Sequence, residues 1–395
     1  MPTAQHSMSY SNKKTNWLNR YPAISDLARK AKSRIPKVSW EYLESGTGDE
    51  DLLDRNAQAF KKINFLPRFC KGDLQADCST TLFGRKYDAP IGVAPVGLTG
   101  LMWPKVEEYL AASCARFNIP FCLSTLATST PEIVGPQCGD MGWFQLYPPK
   151  DQDILDSLLR RAKDSGFHTL VITADIPMPS LRERTKRAGM SMPPKITPRM
   201  IWEGATHPAW SIATLRNGIP SLKTVEHYTN NNDMKFVSGF VGNRLGGTLS
   251  WEYCQEIKQK WDGPVIIKGI LHPQDARQAI DAGMDGIWVS NHGARQFNGA
   301  ATAIEALPAI VETVNAAGGG TIIFDSGVRN GLDIMRALHL GADFVFAGRP
   351  FFYGVAALGK LGGDHAAHIF IDDLKNNMVQ LGAANLAEVR EANLL

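Results

Sequence analysis

The chain has little of several things, and each shortage removes a class of explanation. Cysteine is scarce: Cys70, Cys78, Cys114, Cys122, Cys138 and Cys254 include no Cys-x-x-Cys pair, so a reducing compartment is expected and a metal site is not. Charge of one sign is not in surplus, with 42 Lys and Arg against 39 Asp and Glu and a net +3. A general nucleic-acid binder would carry a basic excess, so a small-molecule partner fits better. No apolar run approaches the roughly 18 to 20 residues that a membrane-crossing helix needs. The start, Met1 to Arg20, is polar and holds no apolar stretch like that of a signal peptide, so a cytoplasmic setting is the expectation. A Gly-x-Gly-x-x-Gly turn after the first apolar run is also missing, which counts against the doubly wound dinucleotide sheet as the alternative fold.

What is present is a large apolar fraction, 44% of 395 residues, enough to bury one barrel of about 250 residues with extensions. After a polar tail, residues 1–20, the remainder, 21–395, reads as one domain. Ala23 to Glu44 has helical spacing (Ile24, Leu27, Ala28, Ala31, then Val38 and Tyr42) broken by Pro36. This predicts two short helices forming a lid or cap rather than core.

From residue 90 onward short apolar runs recur: Ile91 to Ala94, Phe121 to Ser124, Trp143 to Tyr147, Thr169 to Thr173, Val265 to Lys268, Gly286 to Ser290, Thr321 to Phe324 and Phe344 to Ala347. Helical stretches such as Val106 to Phe117, Ile154 to Ala162, Ala276 to Ala282 and Leu332 to Leu340 separate them. Eight βα units of this kind predict an α/β fold, a TIM (β/α)8 barrel. Roughly 90 residues part the fourth run from the fifth, too many for one βα connection. The insertion, about 183–250, mixes basic residues with Met190, Met192, Met200, Ile201, Trp202 and Trp210. That composition suits a mobile active-site loop, a patch for lipid headgroups, or an excursion packed on the barrel or a neighbouring subunit.

Active sites of such barrels form at the carboxyl ends of the strands. The polar residues there are Ser124, Gln145, Tyr147, Thr173, Asp175, Lys268, Ser290, Asn291, His292, Arg295, Asp325, Arg329 and Arg349. Singly, each has an ordinary explanation, since Ser and Thr cap helices and a lone His is commonly structural. Together they place hydrogen-bonding and charged groups at almost every strand end, which a purely structural rim does not require.

Asp325-Ser-Gly-Val-Arg329 and Ala347-Gly-Arg349 suit a phosphate cradle after strands seven and eight, with glycine amides, a helix start and arginines facing an anion. Lys268 serves either as a Schiff-base lysine or as a fixed cation beside an electron-accepting ring. His292 and Arg295, three residues apart past a strand, suit a base and a carboxylate anchor for one small acid, and Asp175 can hold the imidazole.

At these residues the chain resembles the FMN-dependent L-2-hydroxy acid oxidases and dehydrogenases, a family that includes glycolate oxidase, flavin L-lactate dehydrogenases and mandelate dehydrogenase. The match runs from about Ala23 to near the C-terminus. It rests most on Ser290-Asn-His-Gly-Ala-Arg-Gln296, supported by Trp143-Phe-Gln-Leu-Tyr147, Val265-Ile-Ile-Lys-Gly269, Asp325-Ser-Gly-Val-Arg329 and Gly348-Arg-Pro350. The resemblance implies His292 as base, Asp175 as its orienting carboxylate, and Arg295, Arg182 and Tyr42 on the substrate carboxylate. It implies Tyr147 on the substrate hydroxyl and Lys268 at the flavin N1 and O2 edge. Ala94, Ser124, Gln145 and Thr173 would meet the isoalloxazine ring, with Ser290, Asp325, Arg329, Gly348 and Arg349 on the ribityl and phosphate.

The implied reaction oxidises a small L-2-hydroxy acid, L-lactate or a mandelate-like acid, to the 2-oxo acid, with electrons passing from FMN to a quinone-type acceptor. A homotetramer is the implied assembly. Glycolate oxidase has tryptophan where this chain has Leu126, so the pocket wall is expected to be smaller. Ala94-Pro-Val-Gly-Leu-Thr-Gly100 and His207-Pro-Ala-Trp210 look more like membrane-associated bacterial lactate and mandelate dehydrogenases, which implies a peripheral contact with the inner face of the cell membrane through the insertion. The competing readings are an O2-using oxidase that yields hydrogen peroxide, a phosphate-binding aldolase or isomerase using Lys268, and a binding or scaffold protein that kept the fold without catalysis.

Overall fold

The computed structural model describes residues 16–191, 197–228 and 249–395; most of the polar tail and two parts of the insertion, the first of which includes Met192, lie outside the described residues. Eight parallel strands close a barrel in the order β10-β3-β4-β5-β6-β7-β8-β9. They are β3 (Ile91–Val93), β4 (Phe121–Ser124), β5 (Gly142–Leu146), β6 (Thr169–Thr173), β7 (Val265–Ile270), β8 (Gly286–Val289), β9 (Thr321–Phe324) and β10 (Phe344–Ala347). The sequence runs therefore sit where expected, and the fold is a TIM barrel.

The runs are apolar throughout because both faces of each strand are buried. Cys122, Trp143, Val171, Ile266, Trp288, Ile323, Phe344 and Phe346 point inward and fill the barrel. Their neighbours Leu123, Phe144, Leu170, Ile172, Val265, Ile267, Ile287, Ile322, Phe324 and Val345 join the cluster outside it, the period-2 alternation of a strand. Trp288 and Phe346 lie 4.3 Å apart by ring centroids, so the interior is packed rather than open. A two-stranded antiparallel hairpin, β1 (Thr80–Leu82) and β2 (Arg85–Tyr87), adds Leu82 and Tyr87 to the interior cluster. Tyr87 meets Phe344 edge-on at 5.4 Å and accepts a hydrogen bond from Trp143 Nε1 at 3.4 Å. The amino-terminal mouth is thus plugged, and access is left to the opposite rim.

The N-terminal extension departs from expectation. It forms α1 (Ile24–Lys32), α2 (Lys37–Glu44) and α3 (Asp51–Phe60), and it is core rather than a lid. Ile24, Leu27, Ala31, Ile35 and Leu43 are buried in the main hydrophobic cluster, each large one contributing about 1.5–3 kcal/mol. Trp40 stacks on Tyr353 at 5.6 Å. The apolar stripe that suggested a cap faces the barrel's own helices, which a stripe alone does not reveal.

The insertion contains α7 (Glu183–Arg187), α8 (Pro198–Thr206), α9 (Pro208–Asn217) and α10 (Lys223–Glu226), after α4 (Val106–Phe117), α5 (Pro131–Cys138) and α6 (Gln152–Asp164) of the barrel layer. Thr197 accepts a hydrogen bond from Met200 N and so starts α8. Trp210 Nε1 donates to the Leu101 carbonyl at 3.0 Å, and Arg184 pairs with Glu41 and Glu50, both at 2.7 Å. The described part of the insertion is therefore tied to the barrel rim and to α2. Neither α8 nor α9 has a buried residue.

Candidate active site

The carboxyl ends of the strands open into one cavity of about 760 Å³. Of the residues singled out from sequence, Tyr42, Ala94, Leu126, Gln145, Tyr147, Thr173, Arg182, Lys268, His292, Arg295, Asp325, Arg329, Gly348 and Arg349 line it. Ser124, Asp175 and Ser290 stand one step behind: Ser124 Oγ donates to Gln145 Oε1 at 2.9 Å, Asp175 meets His292, and Ser290 Oγ accepts from Lys268 Nζ at 2.7 Å.

His292 Nδ1 lies 2.9 Å from Asp175 Oδ1. Burial pulls the imidazole below its usual value; Asp175 opposes that, while Lys268 and Arg182 add to it. Burial alone would raise the Asp175 carboxyl, but His292 and then Lys268 outweigh it and take it below the usual carboxylate range. The pair is therefore a neutral imidazole donating Nδ1–H to a carboxylate, which leaves the Nε2 lone pair as the acceptor on a cavity-lining residue.

The backbone around His292 is unusual: His292, Gly293 and Ala294 all have left-handed φ, at 57°, 62° and 63°, a region costly for residues with a side chain. Hydrogen bonds hold the turn. Ser290 Oγ takes His292 N at 3.0 Å, and Ser326 Oγ takes Asn291 N at 3.2 Å and Gly293 N at 3.1 Å. A Cβ at Gly293 would stand 2.9 Å from Arg349 Nη1 and push that guanidinium aside.

Gly269, next to Lys268, makes room for Asp175. Its φ is +102°, and an added Cβ would lie 2.5 Å from both Asp175 Cβ and Cγ, at the register shift between Lys268 and Ile270. Gly269→Ala is expected to destabilise the fold by about 1–3 kcal/mol and to slow turnover by roughly ten- to a hundredfold, since Asp175 must shift. Thermal unfolding and steady-state kinetics read the two effects; a normal rate would show that Asp175 tolerates the displacement.

Cations dominate the rim. Arg295 is driven well below its usual value by loss of water, with Arg182 and Arg349 adding repulsion. Its Nη1 makes its hydrogen bonds to the Tyr42 and Ser45 carbonyls, at 2.7 and 3.1 Å, and among the described residues the rest of the fork has no hydrogen-bond partner, which suits an anion. Arg182 is held at Ser180 Oγ, 3.1 Å, with Gln296 Oε1 at 3.4 Å. Tyr42 OH donates to the Gly97 carbonyl at 2.9 Å, so its proton is engaged. Burial raises the Tyr147 phenol, Asp175 adding to the effect, so it stays a donor.

Lys268, buried, pairs with Asp325 Oδ2 at 3.0 Å. That pairing matches a fixed cation better than an amine nucleophile, which works unprotonated. At the far end Arg329 and the Gly348–Arg349 start of α11 (Arg349–Leu358) present cations and helix amides, although Arg349 already gives Nε to the Leu43 carbonyl and Nη2 to those of Ser45 and Gly293. Gln145 Nε2 is buried and has no partner among the described residues.

Sequence reasoning missed Leu98 and Leu222, and named Met190 only within the insertion; all three line the cavity and form an apolar cluster with Leu126, Tyr42 and Tyr147. Two of them lie in or beside the insertion, where no periodic signal points inward. It also missed Asn56, on the buried stripe of α3.

A family model described as FMN-dependent dehydrogenase matches residues 31–395. An L-lactate dehydrogenase of Ectopseudomonas mendocina (strain ymp) is 38% identical over 369 residues, 93% of this chain and 97% of that one. The L-lactate dehydrogenase of Pseudomonas aeruginosa (strain LESB58) is 37% identical over 375 residues, 94% and 98% of the two chains. Among solved structures, the monotopic membrane protein (S)-mandelate dehydrogenase superposes with a TM-score of 0.87 at 30% identity, over 93% of this chain and 97% of that one. A mandelate oxidase superposes at 0.81 with 28% identity, over 95% and 98%.

Proposed function

Since the chain belongs to the FMN-dependent dehydrogenases, uses FMN and oxidises a 2-hydroxy acid, we propose that His292 is its base and that L-lactate is its substrate. The observation that carries the first part is the His292–Asp175 pair at a cavity whose other wall is cationic. The second part rests on the lactate dehydrogenases that match over nearly the whole chain. A mandelate-like acid is the second reading, favoured by the apolar cluster of Leu98, Leu126 and Leu222.

The residues present fit FMN. Gln145 Nε2 is a buried donor in need of an acceptor such as the flavin ring offers. Lys268 is a buried cation that would suit the N1 and O2 edge, Ala94 and Thr173 would stand beside the ring, and Ser124 would act from behind through its hydrogen bond to Gln145. Asp325, Arg329, Gly348 and Arg349 would hold the ribityl chain and phosphate, with Ser290 behind them on Lys268 and Asp325. When bound, FMN supplies the two-electron acceptor.

The chain's own groups do the rest. Arg295 and Arg182 take the substrate carboxylate, with Tyr42 beside them. Tyr147, kept protonated by burial, donates to the substrate oxygen. His292 Nε2 accepts a substrate proton, and Asp175 stabilises the imidazolium that results.

The test is the anaerobic visible spectrum before and after L-lactate, L-mandelate and glycolate. Bleaching by L-lactate supports the proposal, bleaching by L-mandelate alone moves to the second reading, and a flavin that none of them bleaches overturns both. Reoxidation by a short-chain quinone faster than by air supports a quinone-type acceptor; the reverse order supports O2. Light scattering checks the homotetramer.

A peripheral membrane contact through the insertion is part of the proposal. No helix among the described residues is long and apolar enough to cross a membrane. Exposed apolar side chains gather in α8, α9 and the turn after them: Trp202 at 70%, Leu215 at 84% and Ile219 at 74% exposure, the pattern of a surface that dips into lipid. Trp202→Ser with Leu215→Ser is expected to weaken co-sedimentation with phosphatidylglycerol vesicles by about a hundredfold, at about 1.5 kcal/mol or more per side chain. Anaerobic flavin reduction should be untouched. Unchanged vesicle binding would rule this surface out.

A further inference from the structure

The turn that carries His292 is gripped from outside the barrel. Asn56 sits on α3 between Leu52 and Phe60, on the face that packs inward, and is 3% exposed. An apolar residue would satisfy that position as a matter of helix burial, so a buried amide there calls for a partner. The partner is Asn291. Asn56 Nδ2 donates to Asn291 Oδ1 at 3.1 Å, and Asn291 Nδ2 donates back to Asn56 Oδ1 at 2.7 Å. Closed in both directions, this amide pair fixes which end of the Asn291 side chain faces which way. The orientation matters because Asn291 Oδ1 also accepts Ala294 N at 3.2 Å and Nδ2 reaches the Ala301 carbonyl at 3.3 Å, bracketing the left-handed run His292 to Ala294.

A second strand of contacts runs in parallel: Thr47 N donates to the Ala294 carbonyl at 3.1 Å, and Leu52 N donates to Asn298 Oδ1 at 3.0 Å. We propose that Asn56 is a positioning residue for the reaction, holding the His292 turn in its left-handed form through Asn291 so that the imidazole stays on Asp175. Through Asn56, which itself touches no reacting atom, the extension becomes part of the catalytic apparatus beyond the wall that Tyr42 supplies. The inference rests on His292 being the base.

The experiment compares the wild type with Asn56→Ala, Asn291→Ala, the double variant and His292→Ala, each as the flavin-loaded enzyme. Bound FMN per chain and melting temperature are measured first. The kcat per bound FMN of Asn56→Ala is expected to fall about a hundredfold, the scale of a small displacement of a reacting group. The double variant should be no slower than Asn291→Ala alone, because both substitutions remove one link. Labelling histidines with 15N gives a readout independent of turnover: the His292 ring signals, assigned by their loss in His292→Ala, should move toward those of an exposed histidine in Asn56→Ala.

If Asn56→Ala yields no folded flavoprotein, Asn56→Leu, which keeps the volume of the side chain but makes neither hydrogen bond, is read the same way and is expected to lose as much. A rate per flavin within twofold of wild type with unmoved His292 signals would overturn the proposal. Normal activity in His292→Ala would instead overturn the assignment of the base.

Discussion

His292→Ala is expected to bind FMN normally and to lose roughly three orders of magnitude in the rate of flavin reduction by substrate, a value within the usual range for removing a general base. FMN binding should survive because the groups that would hold it, Lys268, Gln145 and Arg329, lie on other strand ends, and the small alanine leaves their contacts in place. Stopped-flow reduction under anaerobic conditions measures the loss; a near-normal rate would falsify the role of His292.

The pH profile adds a signed expectation. A base must be neutral to act, and burial lowers His292 from its usual value near 6.5, so kcat/KM should persist below that pH and fall only as pH drops through the lowered value. The charges facing the ring are Asp175, which opposes the shift, and Lys268 and Arg182, which reinforce it. Asp175→Asn removes the opposing charge, so it should carry the acid limb to still lower pH while slowing the reaction. A limb that moved upward would contradict the geometry of the pair.

The barrel was legible because each of its strands is buried on both faces, which turns a strand into an unbroken apolar run such as Thr169 to Thr173. The hairpin Thr80–Tyr87 gave no such sign: its two strands have three residues each and bury one end residue each, Leu82 and Tyr87. The extension was misread for a different reason. Ile24, Leu27 and Ala31 mark one apolar face of a helix, but the identity of the surface that the face meets is a tertiary fact. The rim was legible because strand ends could be numbered, and polar residues at strand ends converge by construction in a closed barrel.

Hydrogen-bond partners were not legible. Nothing in Gly348-Arg349 tells that the arginine gives Nε and Nη2 to backbone carbonyls of the extension and its own rim. Asn56 was hidden because an amide within a helix reads as an ordinary polar residue until its partner, 235 positions away, is seen.

Arg295→Met is expected to lower kcat/KM by about 10³ to 10⁴, with most of the loss in substrate affinity. A two-point contact between guanidinium and carboxylate is made of charge-assisted hydrogen bonds, each contributing about 1.5–3 kcal/mol, and two of them reach that range. The substitution removes a second thing, since Arg295 Nη1 also bonds the Tyr42 and Ser45 carbonyls and the guanidinium lies 5.0 Å from the Tyr42 ring centroid. The framework should nonetheless hold, because Arg349 Nη2 still bonds the Ser45 carbonyl at 3.1 Å. Arg295→Lys separates the two parts: it keeps the charge but loses the fork, and should recover only a fraction of the lost affinity. Arg182→Met should cost less than Arg295→Met, because Arg182 lies at the edge of the insertion and, among the described residues, is oriented by Ser180 and Gln296 side chains alone. Steady-state kinetics on the three variants with L-lactate decides the order. Equal losses for Arg182 and Arg295 would mean that the carboxylate sits between them, and a loss under tenfold for Arg295→Met would move the anchor elsewhere on the rim.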